Sequence, residues 1–299
     1  MAEGCPGKNK SAVLFVNLHK AHAGQTADEI RRELERRSME VTVFSFEGKP
    51  ENLPQGTWDI AFSLGGDGTV LYTARSLAPA GLPIFPVNLG TLGFIAGIQK
   101  NEWLAVFEEW LRGEARVSRR CMLELSVERL GSAAASNTCL NDAVVSSSGI
   151  AKLIRLHLQS RSASGQCTGL GFYRSDGLII ATPTGSTAYS MAAGGPILDP
   201  EMEAVIINPI CPFTLSNRPL VLPSRQTLVI TVDTEQRSAV ILTVDGQDTF
   251  ALDPGDRIVI RHAPHYAMLI TSGRGTYYSA LRGKLNWALS GTGGGGGNA

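Results

Sequence analysis

Apolar and polar positions follow two different rhythms along this chain. In the first third, Ala12–Leu18 is a continuous apolar run and Thr26–Met39 carries apolar and charged residues at helical spacing. Val41–Phe46 is β-branched and aromatic, and Asp59–Leu64 repeats the strand signal. Thr69–Leu77 is compatible with a helix and Pro83–Leu89 is again apolar. Asn101–Arg112 (NEWLAVFEEWLR) reads as an amphipathic helix capped by Asn101. Strands and helices taking turns in this way predict a mostly parallel sheet wrapped by helices.

After about residue 116 the texture changes. Met122–Arg129, Cys139–Ser146, Leu153–Gln159, Gly177–Thr182, Thr227–Val232, Val240–Val244 and Arg257–Arg261 read as short strands broken by Gly, Pro, Asn and Ser. Tyr277–Leu289 returns to helical spacing. The expected organisation is an α/β N-terminal domain over 1–115 and a β-rich, sandwich-like C-terminal domain over 116–273. A C-terminal helix at 274–290 is expected to pack back on the first domain, and the glycine-rich tail at 291–299 is expected to be disordered.

At 299 residues the chain is long enough for two such domains. Lysine plus arginine equals aspartate plus glutamate at 27 each, so charge gives no support to a nucleic-acid or membrane-surface partner. The run Ala12–Leu18 is too short for a secretion signal or a membrane span, and a cytoplasmic location is expected. Cys5, Cys121, Cys139, Cys167 and Cys211 are odd in number and never form C-x-x-C, which argues against a disulfide frame or a zinc site.

The nucleotide signatures G-x-x-x-x-G-K-[ST] and G-x-G-x-x-G are missing. Instead SLGGDGTVL (63–71) follows the third strand signal, and the glycine-rich loop that would offer bare amides to phosphate carries the carboxylate of Asp67. Two unit charges about 4 Å apart interact by about 4 kcal/mol at an effective dielectric near 20, so an unshielded Asp67 would repel polyphosphate. The penalty is escaped if a divalent ion lies between them or if the carboxylate faces a hydroxyl, and phosphoryl transfer to an alcohol uses both. The bland alternative is a tight turn that Asp67 holds by an Asx-type bond.

Two further stretches stand out. In RSDGLIIATPTGSTAYSMAAGGPI (174–197), a Pro183–Gly185 turn precedes a hydroxyl-rich helix start, which suits ribose or phosphate or simply caps a helix at a corner. Tyr189 is placed to stack on a base. Asn141–Asp142 falls inside the strand-like CLNDAVVSS, where short polar side chains need partners, either turn backbone or a diol.

Taken in order, GGDGT (65–69), VNLGTLGF (87–94), LNDAVV (140–145), SDGLIIATPTGSTAYSMAAGGPI (175–197), PFTLSNRPLVLP (212–223) and DGQ (245–247) resemble the NAD kinase family. GGDGT alone is shared with diacylglycerol and sphingosine kinases, and phosphofructokinases carry a close relative; the long block at 175–197 is far more specific. The resemblance implies a Rossmann-like, phosphofructokinase-like α/β domain and transfer of the ATP γ-phosphoryl group to the 2′-hydroxyl of NAD's adenosine ribose. It implies Asp67 as proton acceptor with Gly68 beside the substrate, and Asn141 and Asp142 on ribose hydroxyls. Arg174, Asp176 and Gln247 match further contacts, and Lys152 falls at a basic or histidine position. Thr187, Ala188, Tyr189, Ser190, Met191 and Ala192 match the segment around the dinucleotide.

The resemblance further implies Mg²⁺ carried largely by phosphates, with no dedicated protein metal site, and a homodimer or homotetramer. Three positions depart from the family pattern: Asp142 where glutamate is commoner, Ala192 where serine is, and Phe213 where histidine is expected. A lipid kinase of the diacylglycerol or sphingosine type and a non-catalytic dinucleotide sensor are the rival readings. Polyphosphate as an alternative donor is left open.

Overall fold

The computed structural model describes residues 10–48, 50, 53–91, 93–149, 152–162, 165–214, 217–272 and 275–285. From the amino end come β1 (Ser11–Asn17), α1 (Ala23–Arg36), β2 (Glu40–Phe46), β3 (Ile60–Gly65), α2 (Asp67–Leu77), β4 (Pro83–Asn88), the short β5 (Ile98–Gln99) and α3 (Trp103–Leu111). Next are β6 (Arg116–Arg129), β7 (Ser132–Cys139), β8 (Asp142–Ser147), β9 (Ile154–Arg161), β10 (Cys167–Ser175) and β11 (Gly177–Ala181). A 3₁₀ turn (Thr184–Thr187) and α4 (Tyr189–Ala192) precede β12 (Ala204–Ile210), β13 (Leu220–Pro223), β14 (Thr227–Val232), β15 (Val240–Val244), β16 (Asp248–Leu252), β17 (Arg257–Thr271) and α5 (Gly275–Leu285).

β1 is apolar from Ala12 to Val16, and β3 is buried along its whole length, because both of their faces are covered. α1 and α3 lay Ile30, Leu34, Trp103 and Phe107 on one face, and α2 lays Val70, Leu71, Ala74 and Leu77 on the other. β1, β2, β3 and β4 pair in parallel, as the alternating pattern predicts. The second portion is antiparallel: β13-β12-β11-β8-β15-β16 form one sheet, which packs on β6, β9, β14 and β17 through a core that includes Val145, Ile180, Ile207, Leu228 and Ile258. The result is an α/β portion followed by a β-sandwich.

The sheet does not stop where the texture of the sequence changes. β17 pairs antiparallel with β6 and β14, and its far end pairs in parallel with β4, Met268 opposite Pro83 and Leu269 opposite Ile84. One strand is thus woven into both portions.

Two local expectations fail for physical reasons. Asn101 does not cap α3: the chain turns at 101–102, and Glu102, whose carbonyl takes the Val106 amide at 3.2 Å, is the cap. Cys139–Ser146 is not one strand, because β7 ends at Cys139 and β8 begins at Asp142; the amides between them are drawn onto a buried carboxylate described below. α5 forms as expected through Leu285, buries Ala280 and Leu281, and sets Lys284 over the Phe94 ring at 4.6 Å. The expected continuation to residue 290 and the tail at 291–299 lie outside the described residues.

Candidate active site

β3 ends at Gly65, and α2 starts two residues later with Asp67 in its first turn, where the helix dipole favours a carboxylate. Asp67 does not brace its own turn. Its Oδ2 accepts the Phe94 amide at 2.9 Å, and its Oδ1 accepts the amides of Ala96 at 2.8 Å and Ile95 at 3.2 Å. The loop donating these bonds is shaped from beneath by buried Asn88. Its Nδ2 donates to the carbonyls of Thr91 at 2.9 Å and Ala96 at 3.3 Å, and its Oδ1 accepts the Gly90 amide at 2.8 Å. A side chain on Gly93 would overlap the Asp67 carboxylate, so glycine is required for this approach. A negative charge is therefore tolerated in a glycine-rich loop because three amides converge on it; an ionised carboxylate has about four lone-pair sites, so an acceptor position remains.

Asp67 also lines a cavity of about 680 Å³ together with Asn17, Lys20, Gly68, Thr69, Tyr72 and Arg75. That size suits a nucleotide-scale ligand. Lys20 is exposed, with Cε beside Gly66, and forms no ion pair among the described residues. The other cation, Arg75, is committed to Asp248. An anion entering the cavity would thus meet the Lys20 ammonium and the amino terminus of α2.

The cavity's far wall belongs to the sandwich. Gln247 Nε2 donates to the Gly68 carbonyl at 2.8 Å. Asp245, in the same turn, is buried and accepts the amides of Asn141 at 2.7 Å, Leu140 at 3.0 Å and Asp142 at 3.1 Å. This carboxylate turns the chain between β7 and β8. It leaves Asn141 buried with no partner for Oδ1 among the described residues, an acceptor suited to a hydroxyl.

Burial, with Asp245 beside it, pushes the Asp142 carboxyl up to about 7. Burial likewise raises Asp245, to about 6, opposed by the three amides and by Arg75. Both values lie above the ordinary carboxylate range, so the folded chain keeps protons that the unfolded chain releases. Their contribution to stability is full below about pH 4 and is lost as pH rises through 6 to 7. Asp142→Asn is accordingly expected to raise stability at pH 8 by on the order of 2 kcal/mol, with the gain vanishing toward pH 4. Urea melts at the two pH values check this, and an equal gain at both would refute it.

The segment 182–192 packs directly on this break. The Thr182 amide donates to the Asn141 carbonyl at 2.8 Å and its hydroxyl to the Leu140 carbonyl at 2.5 Å. The hydroxyls of Ser186 and Thr187 turn back to the carbonyls of Pro183 and Thr184, so they serve the turn rather than standing free. Thr184 Oγ1 is buried without a partner among the described residues. Asn208 Nδ2 secures α4 through the Ser190 carbonyl at 2.9 Å, while Tyr189 and Ala192 stay exposed, with Ala188 and Met191 half-buried between them.

Thus Asp67, Gly68, Gln247, Asn141, Asp142 and Thr187 are joined through a short chain of contacts. Of the expected site residues, Asp67, Gly68 and Gln247 line the cavity, whereas Asn141, Asp142, Lys152, Arg174, Asp176 and Thr187–Ala192 do not. Lys152 is exposed beside Gly149, Arg174 lies over the Phe213 ring at 5.0 Å, and the Asp176 amide donates to Ile210 at 3.0 Å. Asn17, Lys20, Arg75, Asn88 and Asp245 were not singled out individually by sequence reasoning; only the presence of Asn88 and Asp245 in VNLGTLGF and DGQ pointed to them.

A strand-end carboxylate held by amides, facing a nucleotide-sized cavity walled by a second β-rich portion, defines a kinase of the GGDG type. Two family models match the chain: the ATP-NAD kinase N-terminal domain at residues 50–115 and the ATP-NAD kinase C-terminal domain at 140–272. The NAD kinase of Treponema denticola is 41% identical over 94% of this chain and 98% of its own, and that of Geobacter sulfurreducens is 38% identical over 93% and 99%. The crystal structure of yeast NADH kinase complexed with NADH shares the fold, with a TM-score of 0.82 at 24% identity over 95% of this chain and 89% of that one. An NAD kinase from Archaeoglobus fulgidus in complex with ATP superposes with a TM-score of 0.69 at 25% identity over 93% and 98%. The chain belongs to the NAD kinase family.

Proposed function

We propose that this protein transfers the γ-phosphoryl group of ATP to the 2′-hydroxyl of the adenosine ribose of NAD, giving NADP. The carrying observation is the placement of Asp67, fixed by three amides at the edge of the cavity where Gly68 meets Gln247. Asp67 accepts the proton of the 2′-hydroxyl as that oxygen bonds to the γ-phosphorus; the bond from that phosphorus to the β-phosphate oxygen breaks, and ADP leaves. Lys20 and the first turn of α2 hold the donor phosphates. Asn141 and Asp142 take ribose hydroxyls, and Thr187–Ala192 flanks the dinucleotide.

The cavity offers two carboxylates, Asp67 and Asp248, and Asp248 is already bonded to Arg75 and Asn137. This donor set fits a magnesium ion that would arrive on phosphate oxygens, keep most of its water and take few protein ligands, since three amides already occupy Asp67. When bound, such an ion neutralises charge on the phosphates.

Lys152, Arg174 and Asp176 belong to the proposal as dinucleotide contacts, and a homodimer or homotetramer belongs to it separately, its mass to be read by light scattering. None of the described helices is long and apolar enough to cross a membrane, and a cytoplasmic location remains part of the proposal. The decisive assay follows NADP formation from NAD, and NADPH formation from NADH, with Mg²⁺ and either ATP or polyphosphate, with diacylglycerol as a parallel acceptor. NADP is expected with ATP and NAD. Calorimetric NAD binding without NADP would favour the sensor instead, and phosphate on diacylglycerol would favour the lipid kinase.

A further inference from the structure

Arg75 lies on α2, eight residues beyond Asp67, with its side chain 12% exposed. One terminal nitrogen of its guanidinium donates to Gln247 Oε1 at 3.1 Å. The other donates to Asn137 Oδ1 at 2.9 Å and to Asp248 Oδ2. Its Nε is buried without a hydrogen bond among the described residues and stands 4.0 Å from Asp245 Oδ2. Asp245 is the carboxylate that gathers the amides of Leu140, Asn141 and Asp142, while the other end of Gln247 holds Gly68. A single planar cation therefore connects the helix that carries Asp67, the turn 245–248 and the chain break at Asn141.

We propose that Arg75 is a positioning residue that fixes Asn141–Asp142 relative to Asp67 across the seam. The inference rests on the kinase reading above and adds to it the group that sets its geometry. Two physical features support it. The guanidinium reaches three acceptors on the sandwich side at once, a span that the single ammonium of lysine does not reproduce. Its charge also opposes the repulsion between Asp142 and Asp245, although part of that charge is taken by Asp248; the thiol of Cys139, which also faces the pair, carries no positive charge. Without Arg75, Asp245 holds its proton to higher pH and loses the charge that draws the three amides together.

The test uses the full chain with Arg75→Met and Arg75→Lys, each checked by thermal melting. In Arg75→Met, kcat/KM for NAD is expected to fall by about ten- to a hundredfold while KM for ATP stays within about twofold. The acidic limb of its pH profile should move to higher pH, because removing a cation raises the macroscopic values of the carboxyl pair. Arg75→Lys should return the limb toward its original position without restoring kcat/KM, which separates charge from fork geometry. Hydrogen exchange of the Leu140, Asn141 and Asp142 amides in the ligand-free protein should quicken in Arg75→Met.

An effect confined to KM for ATP would make Arg75 a donor-phosphate ligand and overturn the inference, as would an unmoved pH limb with unchanged amide protection. A wild-type chain that makes no NADP overturns the kinase reading instead, and amide protection in Arg75→Lys, or in Arg75→Met if it folds, still decides whether Arg75 sets the break.

Discussion

Asp67→Asn is expected to lower kcat by about 10²- to 10⁴-fold while leaving NAD affinity nearly unchanged. Asparagine keeps the shape and one acceptor oxygen, so the amides of Ile95 and Ala96 retain their partner. Its NH₂ group then faces the Phe94 amide, donor against donor, and one unpaired amide costs about 1–3 kcal/mol. Some loss of melting temperature is therefore part of the expectation. The two roles of Asp67 separate in the kinetics: a lost proton acceptor appears in kcat alone, whereas a displaced loop weakens binding as well. Turnover within a factor of a few of the parent would remove Asp67 from the chemistry.

Gly185→Ala carries the largest expected structural effect. A Cβ at this buried position would stand 2.5 Å from the Asn141 carbonyl carbon and 2.8 Å from its Cα, and closer still to its oxygen. Backbone cannot swing aside as a side-chain tip does. The break that presents Asn141 would have to retreat, at a cost of about 3 kcal/mol or somewhat more. The melting temperature is expected to drop by about 5 °C or more, together with NAD affinity. Gly24→Ala is the control: it lies in α1 with open space around its Cβ, and should be neutral or stabilising by about 0.5–1 kcal/mol. Equal melting temperatures for Gly185→Ala and the parent would show that the packing of 182–187 on Asn141 is looser than described.

Much of this was legible in the sequence, for reasons that differ from element to element. β1 and β3 announce themselves because strands covered on both faces are nearly continuous apolar runs, Ser63 being the polar residue inside β3. β7 (SAAASNTC), β10 (CTGLGFYRS) and β12 (AVIINPI) escape notice because small residues, glycines and Pro209 dilute the strand signal that their neighbours supply through pairing. The pattern shows β17 only to Arg261, because His262, Pro264 and His265 interrupt it, at a register shift, before the strand continues to Thr271. At the site, Asp67 stands out as a charge in a glycine loop. The amides that satisfy it lie 27 to 29 residues later, and Arg75 meets Asp248 across 173. Hydrophobic period carries no information about such pairings, so the chain shows which residue is unusual but not what holds it.

The woven strand has a mechanical consequence. Rocking the two halves apart like a clamshell would tear β17 from β4, parting a continuous sheet to admit a small molecule. The two halves are tied by backbone hydrogen bonds of one sheet, so the spacing between Asp67 on one side and Gln247 on the other is set by that sheet as well as by the contact of Gln247 with Gly68.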